Sequence, residues 1–174
     1  MKLVETLVTK KLKELMILNS QKFESISING RIAFAISCLE KVLDEENIKN
    51  HLLIKNIDYF WEFVSSDSLD IWDDQVSSFP TNLNDFIERY HLKNHKSDKV
   101  IIIFELFDLI IDIGRANLYG AFQSELTLKQ LDKIIEIMTV NSYKLPNLLF
   151  FQKSKVTDYH GWGHRVSPAY FKCL

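Results

Sequence analysis

The sequence predicts an all-α fold, a single-domain bundle of about seven or eight helices, and three observations carry that expectation. Apolar residues recur at spacings of three and four almost throughout the 174 residues, which is the period of one helix face. The five glycines and three prolines are scattered, so no linker divides the chain into two domains. With 47% hydrophobic and 25% charged residues, the composition is that of a globular domain long enough to bury a core without disulfide or metal staples.

Taken in order, Leu3, Val4, Leu7, Val8, Leu12, Leu15 and Met16 lay an apolar stripe along residues 2–18, an amphipathic helix. A second helix is expected from about Asn29, with Ile32, Ala35, Ile36, Leu39, Val42 and Leu43 inward. Asn47 is the expected N-cap of a third, which turns Leu53, Ile57, Phe60, Trp61 and Val64 to the core. Ser66 or Ser68 caps a short fourth carrying Leu69, Trp72 and Val76. Pro80-Thr81-Asn82 reads as a stop followed by a new cap, and Leu83, Phe86, Ile87 and Tyr90 continue from it.

Ser97 opens the strongest helix, expected to run to about Tyr119 and stop at Gly120. Its run VIIIFELFDLIIDI is β-branched enough to compete as a buried strand. The charges decide: Glu105, Asp108, Asp112 and Arg115 fall at spacings of three and four, one narrow polar stripe on a central helix. A strand would set Glu105 on the face opposite Asp108 and Asp112. A last helix follows Thr127, with Leu128, Leu131, Ile134, Ile135 and Met138 inward, and Lys144-Leu145-Pro146 closes it. Residues 147–174 form a less regular C-terminal segment of the same domain.

The N-terminus lacks the unbroken apolar stretch and cleavage site of a secretory signal. The most apolar window, 100–113, is too short for a bilayer and carries Glu105, Asp108 and Asp112. No membrane contact is expected, and the expected compartment is the cytoplasm, where Cys38 and Cys173 would stay unpaired. A Cys38–Cys173 bridge is the less favoured alternative.

A formal charge of −2 argues against a coat for nucleic acid, but it hides a segregation. Residues 40–90 hold twelve acids and four bases, a net of −8, between flanks of +3 each. The densest stretch is Asp67 to Asp74, in which Asp67, Asp70 and Asp74 share a helix face. Glu62, Asp58 and the acids at 44–46 join them if the second, third and fourth helices pack as neighbours. Acids at helix starts are ordinary, because the helix dipole favours them there. A dense cluster repels itself, though, and reads as a docking surface for a basic partner. Its candidate residues are Glu62, Asp67, Asp70, Asp73 and Asp74, with Trp72 as the apolar anchor between them.

The catalytic alternatives are thinner. The Asp67–Asp74 run lacks the glycine and spaced glutamate of an EF-hand. No phosphate-binding glycine loop, G-x-S-x-G or H-E-x-x-H occurs. His91 and His95 stand four apart, but beside Lys93 and Lys96 they read as a solvated helix end. His160 and His164, with Asp158 or Cys173, could hold zinc, yet the usual ligand spacing is missing. Gly161 and Gly163 favour an ordered turn through which Trp162 seals one end of the core. Cys38 reads as a small buried residue. No catalytic residue, cofactor or metal is therefore assigned. The chain is expected not to be an enzyme, with a hydrolase using carboxylates or the 158–164 turn as a remaining alternative.

Four segments together, Arg31-Ile32-Ala33-Phe34-Ala35, Trp61-Glu62-Phe63 through Ser65-Ser66-Asp67-Ser68-Leu69-Asp70-Ile71-Trp72-Asp73, Asn117-Leu118-Tyr119-Gly120 and His160-Gly161-Trp162-Gly163, resemble a group of small all-helical bacterial proteins. Some of these look like immunity proteins of contact-dependent growth-inhibition or other polymorphic-toxin systems. The resemblance covers residue 25 to the end and carries no catalytic signature. It implies a cytoplasmic protein that binds and neutralises a cognate toxin domain. A nuclease toxin fits the acidic middle, because nucleases need basic sites to hold phosphates. A helical scaffold or regulatory protein for some other basic partner is the alternative.

Overall fold

The computed structural model describes residues 21–119 and 122–172. The helix expected over residues 2–18, the stop at Gly120 and Cys173 lie outside them. Seven α-helices follow one another among the described residues, and no strand does. They are α1 (Ile28–Glu45), α2 (His51–Glu62), α3 (Leu69–Val76), α4 (Leu83–Arg89), α5 (Ser97–Arg115), α6 (Ser124–Val140) and α7 (Leu149–Gln152). Two 3₁₀ turns, Asp158–Gly161 and Pro168–Tyr170, complete the C-terminal segment. The chain is therefore all-α.

Side chains close the starts of α1, α2 and α4, whereas Ser68, the N-cap residue of α3, makes no side-chain capping bond. Ser27 Oγ accepts from the Gly30 amide at 3.2 Å, Asn50 Oδ1 from Leu53 at 2.9 Å and Asn82 Oδ1 from Asp85 at 3.0 Å. The cap of α2 is thus Asn50 and not Asn47, which instead takes a left-handed conformation with φ 53°. The strongest helix also ends earlier than expected, at Arg115. Residues 116–119 leave it as turns.

The charge stripe on α5 led to its expectation as the central helix, but α1 shares that place. Thirteen of the eighteen residues of α1 are buried, and it packs against α2, α5, α6 and α7. Both ends of the α1–α5–α6 layer are tied by polar side chains. At one end the buried Arg31 guanidinium donates to the carbonyls of Phe23 (3.2 Å), Glu24 (3.4 Å) and Ser124 (3.0 Å), and to the hydroxyls of Ser124 (2.8 Å) and Thr127 (2.7 Å). At the other end Tyr143 Oη donates to Glu46 at 2.5 Å, and Lys99 Nζ lies 3.0 Å from the same carboxylate. So α1 and α6 run parallel, and α5 runs antiparallel to both.

The C-terminal segment is laced onto the start of α1. The Ser27 amide donates to the Ser154 carbonyl (2.9 Å), the Asn29 amide to Trp162 (3.1 Å) and the Val166 amide to Val64 (2.9 Å). Asn29 Nδ2 donates to the His164 carbonyl at 3.1 Å. The first amides of a helix have no partner within it, and this segment supplies one. Its irregular sequence is thus a fitted cover over a helix end.

Candidate acidic interface

Helix α3 has only eight residues and turns one face inward. Trp72 is 1% exposed, with Val76 beside it. The indole lies against Gly114 of α5, where a Cβ would come within 2.3 Å of the ring. It also meets Phe63 edge-on at 5.0 Å between centroids. This corrects the assignment of Trp72 as the exposed anchor. Acids surround it in sequence, but a helix separates sequence neighbours by about 100°, and the missing side chain at Gly114 opens a slot for the ring. The residue left outside is Ile71, 63% exposed.

Asp73 is corrected in the same way. Its carboxylate accepts from Arg115 Nε at 2.5 Å and from Tyr119 Oη at 2.8 Å, while Arg115 Nη2 donates to Ser77 Oγ at 2.6 Å. Partial burial pushes the Asp73 carboxyl up, but the hydrogen bonds from Arg115 and Tyr119 outweigh it and hold it below its ordinary value. Asp73 therefore fastens α3 to the end of α5, and its charge is already answered within the chain. Asp70 and Asp74 are exposed.

Two tyrosines mark where the acids meet. The Tyr119 phenol is raised above its ordinary value by its hydrogen bond to Asp73 and by the charges of Asp74 and Asp70. The Tyr59 phenol is raised by burial and by the charges of Glu62 and Asp74, and it donates to the Ile71 carbonyl at 3.2 Å. Glu62 and Asp74 thus meet at Tyr59, and Asp70, Asp73 and Asp74 at Tyr119, which is 81% exposed. Reading the sequence missed Ile71, Tyr59, Tyr119 and Arg115. Sequence spacing marks Tyr119 only as a helix terminus, and the signal for Ile71 lies in its place about 100° around α3 from Trp72.

The remaining acids go elsewhere. Asp67 borders a separate cavity of about 220 Å³, walled by Phe63, Trp162, Tyr159 and Arg165. Glu46 belongs to the Lys99–Tyr143 contact at the other end of the bundle. Glu40 accepts from Trp61 Nε1 at 2.8 Å and pairs with Lys172 at 3.2 Å. Asp44 and Asp58 line a different groove beside Lys49. The acidic middle of the sequence is therefore divided over several surfaces.

The 158–164 turn has a structural account. Tyr159, His160, Gly161 and Gly163 all have positive φ (50°, 56°, 98° and 81°). A Cβ on Gly163 would stand 2.4 Å from Ser27 Oγ and 2.7 Å from Ser154 Oγ, two hydroxyls that share a 2.6 Å hydrogen bond. Trp162 stacks toward Phe63 at 6.4 Å. Among the described residues no group of three His, Cys, Asp or Glu side chains could hold a metal, and Cys173 lies outside them. His91 follows the end of α4 with φ 52°. Glu88 stands three residues before it, the spacing of a helical metal pair, but its carboxylate pairs with Lys93 at 3.4 Å. Cys38 is fully buried, and burial pushes its thiol well above the usual range, so its thiolate is suppressed.

No protein-family model matches the chain, and no curated protein or solved structure matches it either. Among the described residues no helix is long and apolar enough to cross a membrane.

Proposed function

We propose that the chain is an immunity protein that binds a basic toxin domain, a nuclease in our reading, through the face formed by α3 with the ends of α2 and α5. One observation supports it most: exposed Glu62 and Asp74 lie near Tyr59, exposed Asp70 and Asp74 lie near Tyr119, and the exposed Ile71 stands on the same short helix. Charge of one sign steers a basic partner to a surface, and exposed apolar or aromatic side chains on it can then hold the partner. Asp70, Asp74 and Glu62 would meet the Lys and Arg side chains with which a nuclease holds phosphate. Asp73 keeps α3 in place for them.

The test starts from the gene upstream of this chain's, which on this reading encodes the toxin domain. Co-expression should rescue cells from it, and the purified pair should bind more weakly as salt rises. The double variant Asp70→Lys/Asp74→Lys should weaken binding at least about a hundredfold at low salt, with a smaller difference at high salt. Ile71→Ala should cost about 1–2 kcal/mol of binding. Unchanged affinity in both variants removes this face from the interface. Salt-sensitive binding of a different basic protein, without rescue, points to the scaffold alternative.

A further inference from the structure

We propose that the groove between α5 and α6 is a docking site for a basic amphipathic helix of a protein partner. The proposal does not rest on the toxin reading, because the groove lies on other residues. The two helices run antiparallel in register: Asp112 accepts from Gln130 Nε2 at 3.3 Å, and Asp108 and Lys133 face the same groove, as do Phe104 and Ile137. The cavity between them is about 460 Å³. Its apolar lining comes from Phe104, Leu109, Ile137 and Val140. Val140 is 64% exposed, and the flanking Ile101 and Leu126 are exposed as well.

The α5 rim is acidic and the α6 rim mixed, and the lining as a whole carries three acids and one base. Glu105 and Asp108 stand on the α5 side and Glu136 on the α6 side, with Lys133 the single base in the lining. Asp108 stands on this wall beside Asp112, Arg115 and Lys133. Its carboxyl is raised above its ordinary value by desolvation at the groove wall and by Asp112, and the charges of Arg115 and Lys133 offset this in part. A lysine or arginine from outside would relieve it. The stretch from Ile101 to Asp112 is about 17 Å long at 1.5 Å per residue, room for roughly three turns of a partner helix. Apolar residues of such a helix would enter the groove at spacings of three and four, and its flanking bases would meet Glu105, Asp108 and Glu136.

The probe is a labelled helical peptide with leucines along one face and lysines on its flanks, titrated against the full chain. It should bind, with affinity falling as salt rises. Glu105→Lys/Asp108→Lys should weaken it at least about tenfold, and Val140→Asp should do the same. These positions are exposed or face the groove, so a cooperative melting transition with no loss of melting temperature confirms that each variant is folded. Asp70→Lys/Asp74→Lys should leave binding unchanged. The proposal fails if the peptide does not bind, if binding ignores the groove variants, or if the α3 variant weakens it as much as they do. It also fails if the chain alone forms a dimer that Val140→Asp dissociates, since the occupant is then a second copy.

Discussion

Arg31 donates five side-chain hydrogen bonds. It is buried, and each guanidinium nitrogen donates to a carbonyl or hydroxyl. Burial lowers it to about 10, so it stays charged at neutral pH. Arg31→Met retains the stem but removes five hydrogen bonds from a charged donor, although the Phe23 and Ser124 carbonyls keep the Ile26 amide and the Thr127 hydroxyl, and we expect a loss of about 3 kcal/mol in urea denaturation. Gly114 poses a contest of two effects. Alanine is the better helix former by about 1 kcal/mol, but its Cβ would enter the Trp72 ring, and overpacking costs about 1–3 kcal/mol. Gly114→Ala is therefore expected to lower the melting temperature, and a rise would show that the ring has room to move.

Among the elements, α3 and α5 carry opposite pH dependences. The Asp73 carboxyl is held below its ordinary value in the folded chain. Its contribution is present above the unfolded carboxylate range and is lost as pH falls through the lower folded value. Asp73→Asn should cost about 1 kcal/mol near neutral pH, and the difference should shrink in acid. Asp108 is raised, so its ionised form is penalised in the fold. Stability then falls as pH rises through its titration, and Asp108→Asn should stabilise the chain at neutral pH and not in acid. Urea denaturation at several pH values from about 3 to 7, spanning the carboxylate range, separates the two signs.

For the whole molecule, the element order was largely legible in the sequence. Periodicity and caps located α1, α4 and α6 within a few residues, since each has an apolar stripe and a Ser, Asn or Pro signal at its boundary. Core placement of Trp61 followed from its stripe. The candidate interface was legible only in part. Asp70 and Asp74 stand outward as expected, with Glu62 beside them. Trp72 and Asp73 turn inward because partners from α5, forty residues away in sequence, receive them. Charge counts along a chain cannot register such partners.

Sequence alone determined that this chain is helical, that one core takes most of its apolar residues, and that its acids concentrate between residues 40 and 90. Those properties follow from local spacing and composition, which need no knowledge of neighbours. Tertiary structure decided which acids remain available. Arg115 and Tyr119 answer Asp73, Lys99 and Tyr143 answer Glu46, and Lys172 answers Glu40. It also decided that Ile71 and not Trp72 faces outward, because Gly114 leaves space for one ring on one side of α3. Pairing and burial depend on distances between helices, and those exist only once the bundle has closed.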